Sequence, residues 1–236
     1  MLNVGIIGYG SRVSHMAKNL AMYGIPYRVA AIADPRAEEI KQRNDPFLQE
    51  TTFYQDADTM LAAETDLQGV MVGTRCYLHT EMACKVAAHE VGGHHLPLFL
   101  EKPVAITFDQ VKRLDAAFRD YDAPVVVSFP LRVTPIVQTV KQLIEADTIG
   151  TVEHVIAFND VPYGDVYYGG WYRNYDQVGG LFLQKATHDL DYIYYLLGQR
   201  PRVLCAMNAR RVYGGDKPFD LRCVDCAEWE TCPESP

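Results

Sequence analysis

An apolar run that meets two glycines within the first ten residues restricts what this chain can fold into more than any other feature. Residues 4–8 read Val4-Gly5-Ile6-Ile7-Gly8, and Gly8-Tyr9-Gly10-Ser11-Arg12-Val13 leads into a segment of helical spacing at 13–23. Gly8 permits a tight turn, and Gly10 lets the backbone approach a pyrophosphate. A strand without polar alternation is buried on both faces, the condition of a parallel sheet covered by helices.

The following hundred residues repeat the alternation. Short β-rich runs lie at 28–33, 51–54, 69–73, 96–100 and 124–129, and segments of helical spacing at 37–43, 58–64, 80–89 and 109–121. Strand–helix alternation of this kind specifies an α/β fold, a Rossmann-type doubly wound parallel sheet whose ligands lie at the carboxyl ends of its strands. After Phe129 the pattern changes. A helix fits 134–146, a strand 152–159, a tyrosine-rich loop 162–177, a second helix 180–197 closed by Gly198 at C′, and another strand 202–212. This predicts two domains: 1–123, the doubly wound sheet, and 124–236, a partial α+β domain. Two or three open strands leave edges and an apolar face uncovered. The expectation is therefore a homo-oligomer, or a truncated product or fragment whose natural chain continues past Pro236.

The balance of charge bears on partners. Twenty-two lysines and arginines stand against 30 acids, a net charge of -8, which argues against nucleic acid or an anionic membrane as the main partner. One anionic cofactor remains compatible, since a helix N-terminus binds phosphate locally. No stretch approaches the ~20 apolar residues that span a bilayer. The N-terminus has neither the basic region nor the cleavage site of a signal peptide. The expected compartment is the cytoplasm, where six cysteines are thiols or metal ligands rather than a disulfide framework.

Candidate site residues fall at the strand ends. Asp34 closes the second run, where an acid holds the adenosine ribose hydroxyls, and it also suits the N-cap of a helix opened by Pro35. Asp34 favours NAD by repelling a 2′-phosphate, while Arg36 keeps NADP open. Thr74, Arg75 and His79 follow the fourth run on the nicotinamide side, with a packing or capping role for His79 equally open. Glu101-Lys102-Pro103 ends the fifth, and an ammonium fixed there can hydrogen-bond a substrate oxygen, its pKa lowered by partial burial. On the long second helix Gln184, His188 and Asp191 share one face. His188 titrates near neutrality and suits taking a proton from an alcohol as hydride leaves.

These residues together resemble the Gfo/Idh/MocA oxidoreductases, the family of glucose–fructose oxidoreductase and inositol dehydrogenase. The resemblance rests on Gly8-Tyr9-Gly10, Asp34, Glu101-Lys102-Pro103, Phe129-Pro130-Leu131-Arg132, and Gly179-Gly180 through His188-Asp189-Leu190-Asp191, and it covers essentially the whole chain. It implies NAD(P) in the first domain, a sugar or polyol at the interface, and Lys102 and His188 as catalytic residues. Gly8, Gly10, Ser11, Arg12, Asp34, Thr74, Arg75, His79, Glu101 and Lys102 are the expected cofactor contacts. Arg132, Tyr163, Trp171, Arg173, Lys185 and Asp191 are the expected substrate contacts. The chain departs from the family at Gln184, where many members carry an aspartate, so the usual lysine–aspartate–histidine set is incomplete. Lys185 is a candidate substitute. Val13 stands where a third small residue is usual, which predicts a slightly wider helix–strand spacing.

Three further features leave alternatives open. The aromatics of 163–175 suit stacking on a sugar ring or packing at an interface. Cys223, Cys226 and Cys232, with Cys205, have metal-like spacing but lack the two pairs of a full site, and no metal is expected. His89, His94 and His95 read as a solvated loop. The expected activity is hydride transfer between a nicotinamide and a sugar, inositol or related polyol. The alternatives are an NAD-using glycosidase, a dinucleotide-binding regulatory protein, or an inactive truncated paralogue.

Overall fold

A computed structural model describes residues 1–160, 164–168, 170–209, 217–218 and 220–233. The first unit runs β1 (Leu2–Ile7), α1 (Ser11–Met22), β2 (Tyr27–Ala33), α2 (Ala37–Gln42), β3 (Thr52–Tyr54), α3 (Ala57–Ala63), β4 (Gly69–Val72), α4 (His79–Ala87), the hairpin β5 (Glu90–Val91) and β6 (His94–His95), β7 (Leu98–Leu100), α5 (Phe108–Ala117) and β8 (Val125–Val127). Six of the strands form one parallel sheet in the order β3-β2-β1-β4-β7-β8. The chain order reverses between β1 and β4, and ligands of open parallel sheets bind at such a reversal.

Alternate residues of the central strands face opposite layers. Ile6, Val29 and Ile32 pack with Val13, Ala17 and Ile40 from α1 and α2. Ile7, Ala31, Val72 and Leu100 pack with Met60, Leu61, Ala83 and Val86 from α3 and α4. Local capping supports the helices: the side chain of Asp56 accepts from Thr59 N at the start of α3, and that of Thr107 from Gln110 N at the start of α5.

The register matters most for the site. Ile7 lies opposite Ala33 and Val72, Val72 opposite Leu100, and Leu100 opposite Val127. The backbone bonding then runs one residue further. Gly8 N donates to Ala33 O at 2.8 Å, Gly73 N to Ile7 O at 2.9 Å, Glu101 N to Val72 O at 3.0 Å and Ser128 N to Leu100 O at 2.9 Å. Gly8, Asp34, Gly73, Glu101 and Ser128 thus form one row along the carboxyl edge.

Beyond β8 come α6 (Pro135–Glu145), α7 (Tyr175–Val178) and α8 (Leu181–Leu197), which ends at Gly198 in the left-handed region, φ 65°. The strands expected at 152–159 and 202–212 are not formed among the described residues, and 210–212 lie outside them. Alternation of side chains marks which residues suit a sheet, but a ladder needs a neighbour, and the described residues of neither segment pair with one. Ile156, Phe158, Val203, Leu204 and Met207 are left exposed.

The loop expected around His89, His94 and His95 is instead the hairpin β5–β6. Gly92 and Gly93 turn it with φ of 62° and 83°, the left-handed pair that a two-residue hairpin turn requires. His95 Nδ1 lies 2.6 Å from Asp122 Oδ1, and its ring lies 4.5 Å from that of Tyr121. Among the described residues no group of three His, Cys, Asp or Glu side chains is placed to hold a metal ion, and no helix is long and apolar enough to cross a membrane.

Candidate active site at the sheet's carboxyl edge

α1 opens at Gly10 with no side-chain cap and no acid in its first turn. Its N-terminal N–H groups and the positive end of its dipole therefore face the crevice at the β1–β4 reversal. The three glycines around this turn differ in why they are needed. Gly8 has φ +84°, and a Cβ there would stand 2.7 Å from Thr74 N. A Cβ on Gly73 would stand 2.0 Å from Val13 Cγ2. At Gly10 the nearest atom to an added Cβ is Gly73 O at 3.7 Å, so nothing in the protein itself demands glycine there. A pyrophosphate lying on the turn does demand it. Room for Val13 comes from the β4 side, which carries no side chain at Gly73, and Val13 fits with 1% exposure.

Asp34 is buried, and both of its oxygens accept hydrogen bonds. Its Oδ2 accepts from Tyr9 N at 3.0 Å and its Oδ1 from Arg36 N at 2.9 Å and Arg36 Nε at 3.2 Å. Burial alone would raise its pKa, but the hydrogen bonds from Arg36 and Tyr9 outweigh burial and hold the carboxyl below its usual range. It ties the glycine turn to the end of β2 and keeps a negative charge there. Arg12 Nε pairs with Glu101 Oε1 at 3.3 Å across the crevice. Ser11 is exposed at the first position of α1, and Thr74 is half-buried.

His79 is not available to a ligand. It is 2% exposed, with Nδ1 2.7 Å from Pro103 O and Nε2 3.1 Å from Thr74 O. Burial depresses its pKa more than the two carbonyls raise it, so the ring is neutral and donates to one carbonyl at a time. It braces the ends of β4 and β7, and the cofactor contact expected from its place in the sequence does not arise.

The two units meet at Lys102. Its Nζ donates to Gln184 backbone O at 2.8 Å and Gln184 Oε1 at 3.4 Å. Burial pulls its pKa below the ordinary lysine range, with Lys185 and Arg12 acting the same way. One turn further along α8, His188 packs edge-on against Phe129, with ring centroids 5.9 Å apart. Its Nδ1 is buried without a hydrogen-bond partner. Burial and then the charge of Lys102 lower its pKa to about 4. At neutral pH the site therefore pairs a neutral imidazole with a nearby cation, an acceptor beside an electrostatic anchor.

The expected substrate contacts are divided. Arg132 and Asp191 grip each other, Nε to Oδ2 at 2.7 Å and Nη2 to Oδ1 at 2.5 Å, and so fix the start of the second unit onto α8. The face of Trp171 is covered by the Arg75 guanidinium, 3.9 Å from the ring centroid. Trp171 also stacks on Tyr172 at 4.0 Å, and Tyr172 tilts against Tyr167 at 4.9 Å. Lys185 Nζ lies 4.9 Å over Tyr167. This column packs the aromatics of the second unit against Arg75 of the first. Arg173 is exposed, and Tyr163 lies outside the described residues.

Sequence reasoning missed Cys76, whose Sγ accepts from Gln184 Nε2 at 3.1 Å. It also missed that Gln184 is a buried junction, 2% exposed, bonded to Lys102, Cys76 and Val178. No local signal pointed to a contact between residues 108 positions apart.

Comparison with known proteins agrees with this geometry. Residues 2–129 match the family model described as the Gfo/Idh/MocA oxidoreductase family, NAD-binding Rossmann fold. Residues 137–225 match the family's C-terminal domain. The chain is 28% identical to the uncharacterized oxidoreductase YrbE of Bacillus subtilis over 88% of its own length and 57% of that protein. It is 27% identical to levoglucosan dehydrogenase of Pseudarthrobacter phenanthrenivorans over 84% of its length and 52% of that enzyme. The crystal structure of myo-inositol 2-dehydrogenase from Lactobacillus plantarum superposes with a TM-score of 0.73 at 20% identity, covering 85% of this chain and 57% of that one, which shows a shared fold. The chain spans little more than half the length of these relatives.

Proposed function

The chain belongs to the Gfo/Idh/MocA family of oxidoreductases, and from that premise we propose that it moves hydride between a nicotinamide dinucleotide and the CH–OH carbon of a sugar, an inositol or a related polyol. The observation that carries the reading is the placement of Lys102. It stands one residue past the strand-end row, at the end of β7, two strands from the glycine turn across β4, and hydrogen-bonds the helix that bears His188. When bound, the nicotinamide supplies the hydride acceptor. The chain's own residues do the rest. The uncapped start of α1 and the Gly8–Gly10 turn hold the pyrophosphate, and Asp34 holds the adenosine ribose. Lys102 polarises the substrate oxygen and stabilises it as the hydroxyl proton leaves. Neutral His188 accepts that proton, because an imidazole with a pKa of about 4 carries none at neutral pH.

NAD is the proposed cofactor, since the fixed carboxylate of Asp34 repels a 2′-phosphate. Arg36, bound to that carboxylate at 3.2 Å, keeps NADP open. Fluorescence titration with NADH and NADPH, followed by reduction assays on a panel of inositols, anhydrosugars and aldoses, tests the reading. Binding with no reduction on any member of the panel refutes hydride transfer.

The same reading extends to organisation. The change of domain is proposed after β8 rather than at residue 123, because β8 pairs with β7 in the first sheet. A homo-oligomer is proposed because a hollow of about 450 Å³ lined by Val140, Ile144, Ile156, Phe158, Ile193 and Leu197 opens on the α6–α8 face. Light scattering of the purified chain tests it, and a monomer at micromolar concentration counts against it. A cytoplasmic setting fits the acidic composition.

A further inference from the structure

We propose that Gln184 and Cys76 are positioning residues for Lys102, a neutral cradle that fixes the direction of the ammonium and gives it no counter-ion. The proposal rests on the hydride-transfer reading above. Gln184 Nε2 carries two hydrogens, and both have acceptors: Cys76 Sγ at 3.1 Å and Val178 O at 3.2 Å. That fixes which end of the carboxamide faces which way. Turned over, the amide would set its oxygen against the Val178 carbonyl with no hydrogen between them, a buried clash of acceptors. Oε1 therefore faces Lys102, and with the backbone oxygen of the same residue it accepts from Nζ.

The same geometry separates glutamine from an acid at this position. A carboxylate would keep an oxygen for Lys102 but place its second oxygen against Val178 O and Cys76 Sγ. The carboxamide fits every neighbour, so Gln184 belongs to a built network rather than a decayed one.

The electrostatic consequence follows from the charged and titratable groups facing Lys102. Glu101 adjoins it on β7, but Arg12 from α1 already pairs with Glu101. Cys76 faces it from the turn before α4, His79 from α4 itself, and Lys185 and His188 from α8. Burial and the cations Lys185 and Arg12 lower the Lys102 pKa, Cys76 and Glu101 act the other way, and burial prevails. Lys102 therefore holds its proton less firmly than an exposed lysine, in line with the effect of its burial. Cys76 acts through Gln184, and Gln184 acts on Lys102; neither touches substrate.

Competitive labelling of the full chain with trace acetic anhydride across pH, read peptide by peptide by mass spectrometry, tests this without reference to turnover. Exposed Lys41 serves as the internal reference. Lys102 is expected to label with a midpoint below that of Lys41, because it is buried. Gln184→Glu is expected to raise the Lys102 midpoint by about a unit or more and to leave Lys41 unmoved. Cys76→Ala leaves one Nε2 hydrogen without its acceptor, which loosens the carboxamide and lowers kcat by about tenfold or more at little change in the NADH dissociation constant, while Cys76→Ser, which keeps an acceptor, restores most of it. Lys102 labelling with the midpoint of Lys41, or Cys76→Ala behaving as Cys76→Ser, overturns the proposal. If Gln184→Glu does not fold, the wild-type labelling and the two cysteine variants still decide it. If no polyol is oxidised while the Lys102 midpoint is depressed and responds to Gln184→Glu, the hydride-transfer reading fails and the cradle stands.

Discussion

Alanine at Gly73 should be costly out of proportion to the one carbon it adds. That carbon would stand 2.0 Å from Val13 Cγ2 and 3.0 Å from Val13 Cβ, where carbon atoms in contact normally lie about 3.5–4.0 Å apart. Neither side can yield cheaply. Val13 is 1% exposed, and the end of β4 is held by the bond from Gly73 N to Ile7 O at 2.9 Å. Overpacking a full core costs about 1–3 kcal/mol, and turning a helical valine off its rotamer about 1 kcal/mol more. Gly73→Ala should therefore lose about 2–4 kcal/mol, a fall in Tm of about 5–15 °C for a chain of this size. Val13→Ala alone removes two buried methyl groups and should cost about 1.5–2.5 kcal/mol. The double variant should cost far less than the sum, because the Val13→Ala change clears the worst contact and leaves only the 3.0 Å one. A favourable coupling of about 1.5–3 kcal/mol is expected. Urea unfolding followed by far-ultraviolet circular dichroism measures all four corners, with equal m-values as the control. Additive losses, or a Gly73→Ala variant within about 0.5 kcal/mol of the parent, would falsify the claim that Gly73 makes room for Val13.

Gly10→Ala should keep the parent Tm, since its φ of -75° suits alanine, yet weaken dinucleotide binding at least about tenfold. Gly8→Ala should instead lose stability, with φ +84° and Thr74 N at 2.7 Å. Equal behaviour of the two variants in melting and NADH titration would contradict the division of roles. His188 has a folded pKa of about 4 against an ordinary 6.5, so the unfolded chain takes up the proton first as pH falls. Its contribution to stability is whole above about pH 6.5 and is lost down to about pH 4. Denaturant midpoints across that window should fall more steeply for the parent than for His188→Asn, and parallel curves would count against the buried neutral ring. Arg75→Ala should cost about 0.5–1 kcal/mol through the lost contact with Trp171, and an unchanged urea midpoint would show that the column carries no load.

The sheet was legible because its signals are local. Apolar runs, the glycine turn and helical spacing place six strands and their helices to within a residue or two, except that α5 ends at Ala117 rather than at 121. Glu101-Lys102-Pro103 and the face bearing Gln184 and His188 were legible for the same reason. What escaped depends on partners distant in sequence. The alternation at 152–159 tells which side chains suit a sheet but not whether a strand lies alongside. Nothing near His79 announces that both ring nitrogens meet carbonyls from two different strand ends. Arg132 and Asp191 each read as a substrate contact, since sequence gives no sign that they spend their charges on each other. Gly92-Gly93 did carry a hairpin signal, masked by the shortness of the flanking runs.

The Arg75–Trp171 contact also gives the molecule an optical handle. The chain has two tryptophans. Trp229 sits in the tail at 50% exposure, whereas Trp171 lies at the seam between the two units beneath a guanidinium at 3.9 Å. Replacing Trp229 by phenylalanine leaves a single emitter at that seam. Any rocking of one unit against the other strips the cation from the indole and admits water, which shifts the colour and lifetime of its emission. A reduced nicotinamide in the neighbouring crevice would drain the same excited state by energy transfer. Any change at that seam can thus be followed in real time, with no label added.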